Sequence, residues 1–171
     1  IDSCRKIKYM FPKAHATAYV TSAFRIAYYK VHYPSYFYAS WFSTKATDFD
    51  IETMIKGYDA IKNKMTEISN KGFDASNKES GILECLKLAL EMTARGLKFK
   101  NVDLLKSKAT TFDLDEDGNL IPPFSTIDGL GDTVAKTIVE EREKGAFLSV
   151  EDLQKRGKVS STLIEKLRNM H

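Results

Sequence analysis

A pair of glycines at the start of a helical pattern is the feature of this sequence best suited to binding chemistry. Gly129 and Gly131 flank Leu130 in the stretch IDGLGDTVAKTIV, whose later part has apolar residues three and four positions apart. Glycine allows a positive φ and a close approach of another molecule to the backbone. The first N–H groups of a helix lack intrahelical acceptors, and the helix dipole favours an anion there. The spacing therefore predicts a backbone site for phosphate groups.

Two other glycine-rich phosphate sites do not fit this stretch. A dinucleotide-binding loop needs a preceding strand and Gly or Ala at the position that Val134 occupies. A Walker loop needs Gly-Lys-Ser/Thr, which is absent. The pattern that fits is a helix-hairpin-helix motif, with Ile127 and Leu130 as apolar anchors of the turn. The inner face of the helix after the turn would consist of Val134, Ala135, Ile138 and Val139.

A second copy of the layout follows in residues 147–167, with a short helix, a turn and another helix. Its turn has one glycine fewer than the first, but it is more basic. Backbone N–H groups and a few cations can hold DNA phosphates without reading bases. The two copies therefore predict sequence-independent binding of duplex DNA. The predicted DNA-binding residues are Gly129, Leu130, Gly131, Lys155, Arg156, Gly157 and Lys158.

One alternative stays open for the tandem hairpins. Asp132 directly follows the first turn, where its charge would repel a phosphate. The hairpins would then be purely structural, and the chain would be a helical protein-interaction module. The salt dependence of DNA binding distinguishes the two hypotheses, because phosphate contacts weaken steeply with ionic strength.

A further candidate site lies near the N-terminus. Lys13 and His15 stand where a helical pattern begins, and Tyr19 lies one turn beyond His15 on the same face. Three more basic residues stand between positions 5 and 8. A triphosphate could bind at this positive helix end, with the tyrosine ring against a base. Ordinary side-chain packing explains the same spacing.

The elements that must position these residues are helices through the first half of the chain. A helical pattern starts near Lys13, and Pro34 ends it and opens a second, strongly aromatic helix. Asp48 or Asp50 is expected to cap a third helix, whose apolar stripe continues to residue 68.

The middle of the chain carries a capping box and then a strand-like segment. Ser76 to Glu79, SNKE, predicts the start of a helix that ends near residue 95. In residues 97–123 apolar residues recur about every second position, which predicts short strands around a turn at DEDGN. This turn imitates a calcium loop from Asp113 onward, but Phe124 stands where the bidentate Glu is needed. We interpret it as an acidic hairpin turn.

The expected fold is mainly α, with a small β-hairpin connector and a tandem helix-hairpin-helix at the C-terminal end. The predicted units are residues 1–45, 46–122 and 123–171. The first unit has seven basic residues (Lys and Arg) and one acidic residue. The second has eleven basic and fourteen acidic residues, and the third has eight of each. The basic surplus at the N-terminal end suits phosphate groups, although a solvated face has the same composition.

Composition excludes several classes of protein. Cys4 and Cys85 are far apart, which indicates a reducing, cytoplasmic location, and no His and Cys residues have zinc spacing. No run of about 18 apolar residues is present, so no membrane span is expected. The chain begins with Ile1 rather than Met, which suggests a piece of a longer protein.

Several segments, taken together and in order, carry a resemblance to a known family. They are KIKYMFPKAHATAYV, RIAYYKVHYPSYFYASWF, DFDIETMIKG and the stretch from LIPPFSTIDGLG to SSTLIEKL. Together they cover nearly the whole chain and resemble the C-terminal region of the PolC-type replicative DNA polymerase III alpha subunit of Gram-positive bacteria. The resemblance implies that residues 1 to about 45 close the fingers domain and that the tandem hairpins bind the newly made duplex.

The same resemblance implies roles for three residues of the fingers. His15 would contact the triphosphate of the incoming dNTP, Tyr19 would lie against the nascent base pair, and Lys13 belongs to the same motif. The catalytic aspartates and their Mg²⁺ lie in the palm of the polymerase, and no palm sequence is present here. We therefore expect no catalytic residue, no metal site and no cofactor in this segment, and no polymerase activity from it alone.

The resemblance also implies partners. They are primer–template DNA, the incoming nucleotide and the rest of the polymerase chain. The sliding clamp binds the family through a glutamine-led apolar motif, which is absent before the final residues RNMH. Separated from the palm, the fingers residues Tyr36, Phe37, Trp41 and Phe42 are expected to form an exposed aromatic patch.

Overall fold

The computed structural model describes residues 12–170 and begins with two packed helices. Helix α1 spans Lys13–His32 and helix α2 spans Pro34–Thr44, as the position of Pro34 predicts. Helix α1 is regular but has no buried residue. The segment before residue 12, with its alternating basic and apolar residues, lies outside the described residues.

Three helices form the middle of the molecule: α3 (Ile51–Met54), α4 (Tyr58–Lys71) and α5 (Asn77–Ala94). The expected single helix from residue 51 to 68 is wrong, because Gly57 has φ +89° and separates α3 from α4. Asp50 caps α3 by accepting a hydrogen bond from the N–H of Thr53 at 3.2 Å.

The predicted capping box at the start of α5 is confirmed. The Ser76 hydroxyl accepts a hydrogen bond from the N–H of Glu79, and the Glu79 carboxylate accepts one from the N–H of Ser76. A 3₁₀ turn, Gly72–Asp74, precedes this box and links α4 to α5. The two helices pack against each other along their length.

The connector contains a minimal β-hairpin. Strands β1 (Asp113–Leu114) and β2 (Leu120–Ile121) pair antiparallel, with Asp113 opposite Ile121. In the turn between them, the Asp115 carboxylate accepts hydrogen bonds from the N–H groups of Asp117 and Asn119. The hairpin turn and the short strands predicted on its two sides are therefore confirmed. The strand predicted in residues 99–105 is wrong, because Phe99 forms only an isolated bridge with Leu120 there.

The C-terminal part consists of a 3₁₀ turn (Phe124–Thr126) and helices α6 (Asp132–Lys144), α7 (Val150–Gly157) and α8 (Ser161–Asn169). This part and the middle helices share one continuous hydrophobic core. The predicted fold class is confirmed: the chain is mostly helical, with a two-stranded antiparallel sheet and a helix-hairpin-helix motif. The boundaries after residues 45 and 122 stay predictions.

Helix α2 carries aromatic residues on a buried face and on an exposed face. The Phe42 ring is 1% exposed and lies 5.3 Å from the Phe99 ring and 5.5 Å from the Phe112 ring, measured between centroids. The expected exposure of Phe42 is therefore wrong, because the connector covers it. Tyr36, on the other face of α2, is 69% exposed.

Candidate nucleic-acid interface

The turn of the first hairpin is held by its two apolar anchors. Ile127 and Leu130 are buried, and the N–H of Leu130 donates to the carbonyl of Ile127 at 3.0 Å. Gly129, between them, has φ +88°, a conformation that L side chains rarely adopt. Leu130 thus fixes the turn with both its side chain and its N–H, which leaves neither of these groups for a phosphate.

Gly131 lies at the end of the same turn under a different constraint. It is the N-cap residue of α6, with φ −73° and ψ 158°, which any residue can adopt. A Cβ at this position would have no atom within 4 Å, because the glycine faces open space. Neither backbone conformation nor packing requires glycine here. Glycine is a favoured N-cap residue, and the absence of a side chain also leaves the start of α6 open to the close approach of another molecule.

Two lysines from other helices donate hydrogen bonds to Asp128, the residue before Gly129. Lys78 of α5 donates to the Asp128 carboxylate at 2.7 Å, and Lys166 of α8 donates to the Asp128 carbonyl at 2.8 Å. The hydrogen bond from Lys78 is the main reason why the pKa of the Asp128 carboxyl lies below its usual value. These two hydrogen bonds connect the first hairpin to both α5 and α8. No local sequence signal indicates these lysines, which are 50 and 38 residues from Asp128.

The turn of the second hairpin uses its glycine for packing. Gly157 is buried, and a Cβ on it would lie 3.1 Å from a Leu153 methyl and 3.3 Å from side-chain atoms of Ile138 and Val159. This residue lets the end of α7 pack closely against α6. The structure thus gives Gly157 a packing role where the sequence suggested a contact with DNA.

The basic residues of the second turn differ in their surroundings. Lys155 and Lys158 are exposed, and Lys158 has φ +55°, the left-handed region. Ser160 caps α8 by accepting a hydrogen bond from the N–H of Leu163 at 3.4 Å. The start of α8 is therefore a second exposed helix N-terminus with a lysine two residues ahead of its cap. Arg156 is partly buried and donates hydrogen bonds to carboxylates of α6 and α7 and to the carbonyl of Gly145, just after the end of α6.

The N-terminal candidate residues lie together at the start of α1. Lys13 is the first residue of the helix, and the rings of His15 and Tyr19 meet edge to face at a centroid distance of 4.5 Å. Tyr19 is 66% exposed, so the face that these rings form is open to solvent. The basic residues at positions 5 to 8 lie outside the described residues.

Two negative observations concern the described residues. Across residues 12–170, no three His, Cys, Asp or Glu side chains come together in a way that could hold a metal ion. Within the same span, no helix combines the length and apolar character that crossing a bilayer requires.

Comparison with known proteins gives one consistent answer. Residues 96–170 match the helix-hairpin-helix motif family. DNA polymerase III PolC-type of Bacillus subtilis is 60% identical over 168 residues, which are 98% of this chain and 12% of that protein. The protein of the same name from Listeria welshimeri is 58% identical over 165 residues, which are 96% of this chain and 11% of that protein.

A third relative, from Lactococcus lactis, is 55% identical over 170 residues, which are 99% of this chain and 10% of that protein. The chain thus spans 10% to 12% of the length of these relatives. It is homologous to one segment of the PolC-type DNA polymerase III, and that segment contains a helix-hairpin-helix motif.

Proposed function

We propose that this chain is the part of a PolC-type DNA polymerase III that holds duplex DNA by its phosphate backbone, without reading its sequence. The geometry at Gly131 carries the proposal. A glycine that neither conformation nor packing requires faces open space at the start of a helix. A phosphate at that position would meet free N–H groups and the positive end of the helix dipole.

The second hairpin supports the same proposal with a second helix N-terminus. The α8 helix starts at Ser161 behind the exposed Lys158, and Lys155 is exposed one turn earlier. The proposed interface therefore comprises Gly129, Gly131, Lys155 and Lys158, with the first turns of α6 and α8. Leu130 and Arg156 are left out of it because their side chains are engaged within the protein, and Gly157 is left out because it is buried against Leu153, Ile138 and Val159.

Local charge also agrees with backbone binding. The Asp128 carboxylate next to the first turn is paired with Lys78, and Lys166 lies 3.7 Å from it. This pairing reduces the repulsion that an acid beside a phosphate site would cause. Asp132, in the first turn of α6, is exposed, and its negative charge would repel a phosphate. The attraction of the helix N–H groups for the phosphate must therefore exceed this repulsion.

For the N-terminal part, we propose the role that the resemblance implies. Lys13, His15 and Tyr19 would contribute to the site of the incoming nucleotide, together with a palm and its Mg²⁺ on the rest of the polymerase chain. Helix α1 buries none of its own residues and exposes Val20, Phe24 and Val31. Such a face suits contact with further parts of the same polymerase. The polymerase would act on DNA in the bacterial cytoplasm.

The test is fluorescence anisotropy of this chain with two labelled duplexes of unrelated sequence, titrated with salt. We expect equal affinity for both duplexes within about a factor of two, because phosphates carry no sequence information. The logarithm of the binding constant should fall against the logarithm of salt concentration with a slope of about −2 or steeper, from Lys155 and Lys158. Salt-independent binding, or none, would favour the protein-interaction module with purely structural hairpins.

A further inference from the structure

The guanidinium of Arg156 lies between the end of α6 and the end of α7. Its Nε donates to the Glu141 carboxylate at 3.2 Å, and its Nη1 donates to the Asp152 carboxylate at 3.1 Å. The Nη2 donates to the carbonyl of Glu141 and to that of Gly145 at 2.9 Å, while Nη1 also reaches the carbonyl of Ala146 at 3.3 Å. One side chain therefore binds two carboxylates and three backbone carbonyls.

These acceptors explain why the residue is an arginine. The last carbonyls of a helix have no intrahelical donor, and Arg156 supplies donors to two carbonyls at the end of α6. The guanidinium carbon also lies 4.8 Å from the centroid of the Phe147 ring. Only a planar fork of several N–H groups serves all these partners at once, and a lysine ammonium has a different shape and fewer donors.

The same contacts make Arg156 a poor ligand for a phosphate. Glu141 and Asp152 place two negative charges on one guanidinium, and the side chain is partly buried, with 26% exposure. Lys155 and Lys158, on either side in sequence, are exposed. A phosphate at the second turn would therefore meet the two lysines and not the arginine.

We propose that Arg156 is a positioning residue that fixes the second hairpin relative to the first, an inference that rests on the proposed binding of duplex DNA. Helix α6 begins at the first turn, and α7 ends at the second. By tying the end of α7 to the end of α6, Arg156 sets the spacing between the two turns. Both turns can then contact one duplex. Once the first turn is bound, the second turn is held near the DNA at a high effective concentration, which strengthens binding.

The first test compares Arg156→Lys and Arg156→Gln with Lys155→Gln in duplex-binding anisotropy, at temperatures where circular dichroism shows each variant folded. We expect Arg156→Lys to weaken binding by roughly tenfold, as Arg156→Gln does, although it keeps the charge. Lys155→Gln should reduce the salt slope by about one. Normal binding by Arg156→Lys, with weak binding and a reduced salt slope for Arg156→Gln, would identify a phosphate contact and overturn the proposal.

A double-mutant cycle separates positioning from general loss of structure. Lys158→Gln should weaken binding of the otherwise unchanged chain, but it should have little further effect when Arg156 is already lysine, because the second turn then no longer contacts the same duplex. Additive effects of the two substitutions would overturn the proposal. If the unchanged chain fails to bind duplex, the proposed function fails, and this result is distinct from every result of the cycle.

A second pair of variants leaves the arginine in place. Glu141→Ala and Glu140→Ala each remove one negative charge, but of these two glutamates Glu141 is the one whose carboxylate accepts a hydrogen bond from Arg156. Simple electrostatics predicts tighter DNA binding for both variants. Positioning predicts that Glu141→Ala binds more weakly than Glu140→Ala, and equal or tighter binding by Glu141→Ala would overturn the proposal.

Discussion

At the scale of single residues, the two hairpin turns use glycine under different physical constraints. Gly129 has a positive φ, so a side chain there would strain the backbone. Gly157 lies in the end of α7 against three side chains of the core. Gly131 has neither constraint. The sequence shows three glycines near two turns, and these distinctions depend on dihedral angles and on neighbours that are distant in sequence.

The packing role of Gly157 predicts a loss of stability on substitution. Gly157→Val should lower the free energy of unfolding by about 2 kcal/mol, because the added methyl groups must displace Leu153, Ile138 and Val159. Chemical denaturation followed by circular dichroism measures the change. Gly131→Val is the matched control and should cost less than about 1 kcal/mol, since its side chain would enter open space. Equal costs at both positions would contradict the packing role.

At the scale of elements, helix starts were the features most readily predicted from sequence. Pro34 and the SNKE capping box act on their own neighbours along the chain, so a local pattern is enough to locate them. The break at Gly57 was missed because an apolar stripe continues across it and does not reveal a positive φ. The long-range contacts Lys78–Asp128 and Arg156–Glu141 were also missed, because they depend on how the helices pack.

The capping box of α5 predicts a pH dependence of stability. The hydrogen bond from Lys71, followed by those from Ser76, lowers the pKa of Glu79 from 4.5 to about 2. Because the folded state has the lower pKa, the stabilisation by Glu79 is complete above pH 4.5 and is lost as pH falls toward 2. The difference in thermal midpoint between the unchanged chain and Glu79→Gln should therefore shrink over this range.

The matched control for this prediction is Glu84→Gln. Glu84 is exposed on the same helix and has no part in the box. Glu84→Gln removes one carboxylate from the same helix without touching the capping box, so a change with pH that both variants share is not due to the box. A constant difference for Glu79→Gln would show that the carboxylate of the capping box does not stabilise the fold.

At the scale of the whole molecule, the two ends of the chain differ in how completely they are packed. The hairpins and the middle helices share one core, whereas α1 lies on the outside with apolar side chains exposed. Between α1 and α2, an open groove of about 360 Å³ is lined by Ile26, Tyr29, Tyr36 and Trp41. Composition and periodicity predicted the helix but not its exposure, because they do not show which partner a helical face meets.

The central claim, that the first hairpin turn binds DNA phosphate, is tested most directly by Gly131→Ala in duplex-binding anisotropy. Gly145→Ala is the matched control, because it also adds a methyl group in open space, at the opposite end of α6. We expect Gly131→Ala to lose less than about 1 kcal/mol of stability, because alanine is a poorer N-cap than glycine. While folded, it should bind duplex about tenfold more weakly or worse, since a hydrogen bond to a charged group contributes about 1.5–3 kcal/mol. Gly145→Ala should bind normally. Equal binding by the two folded variants would contradict the claim that a phosphate approaches the start of α6.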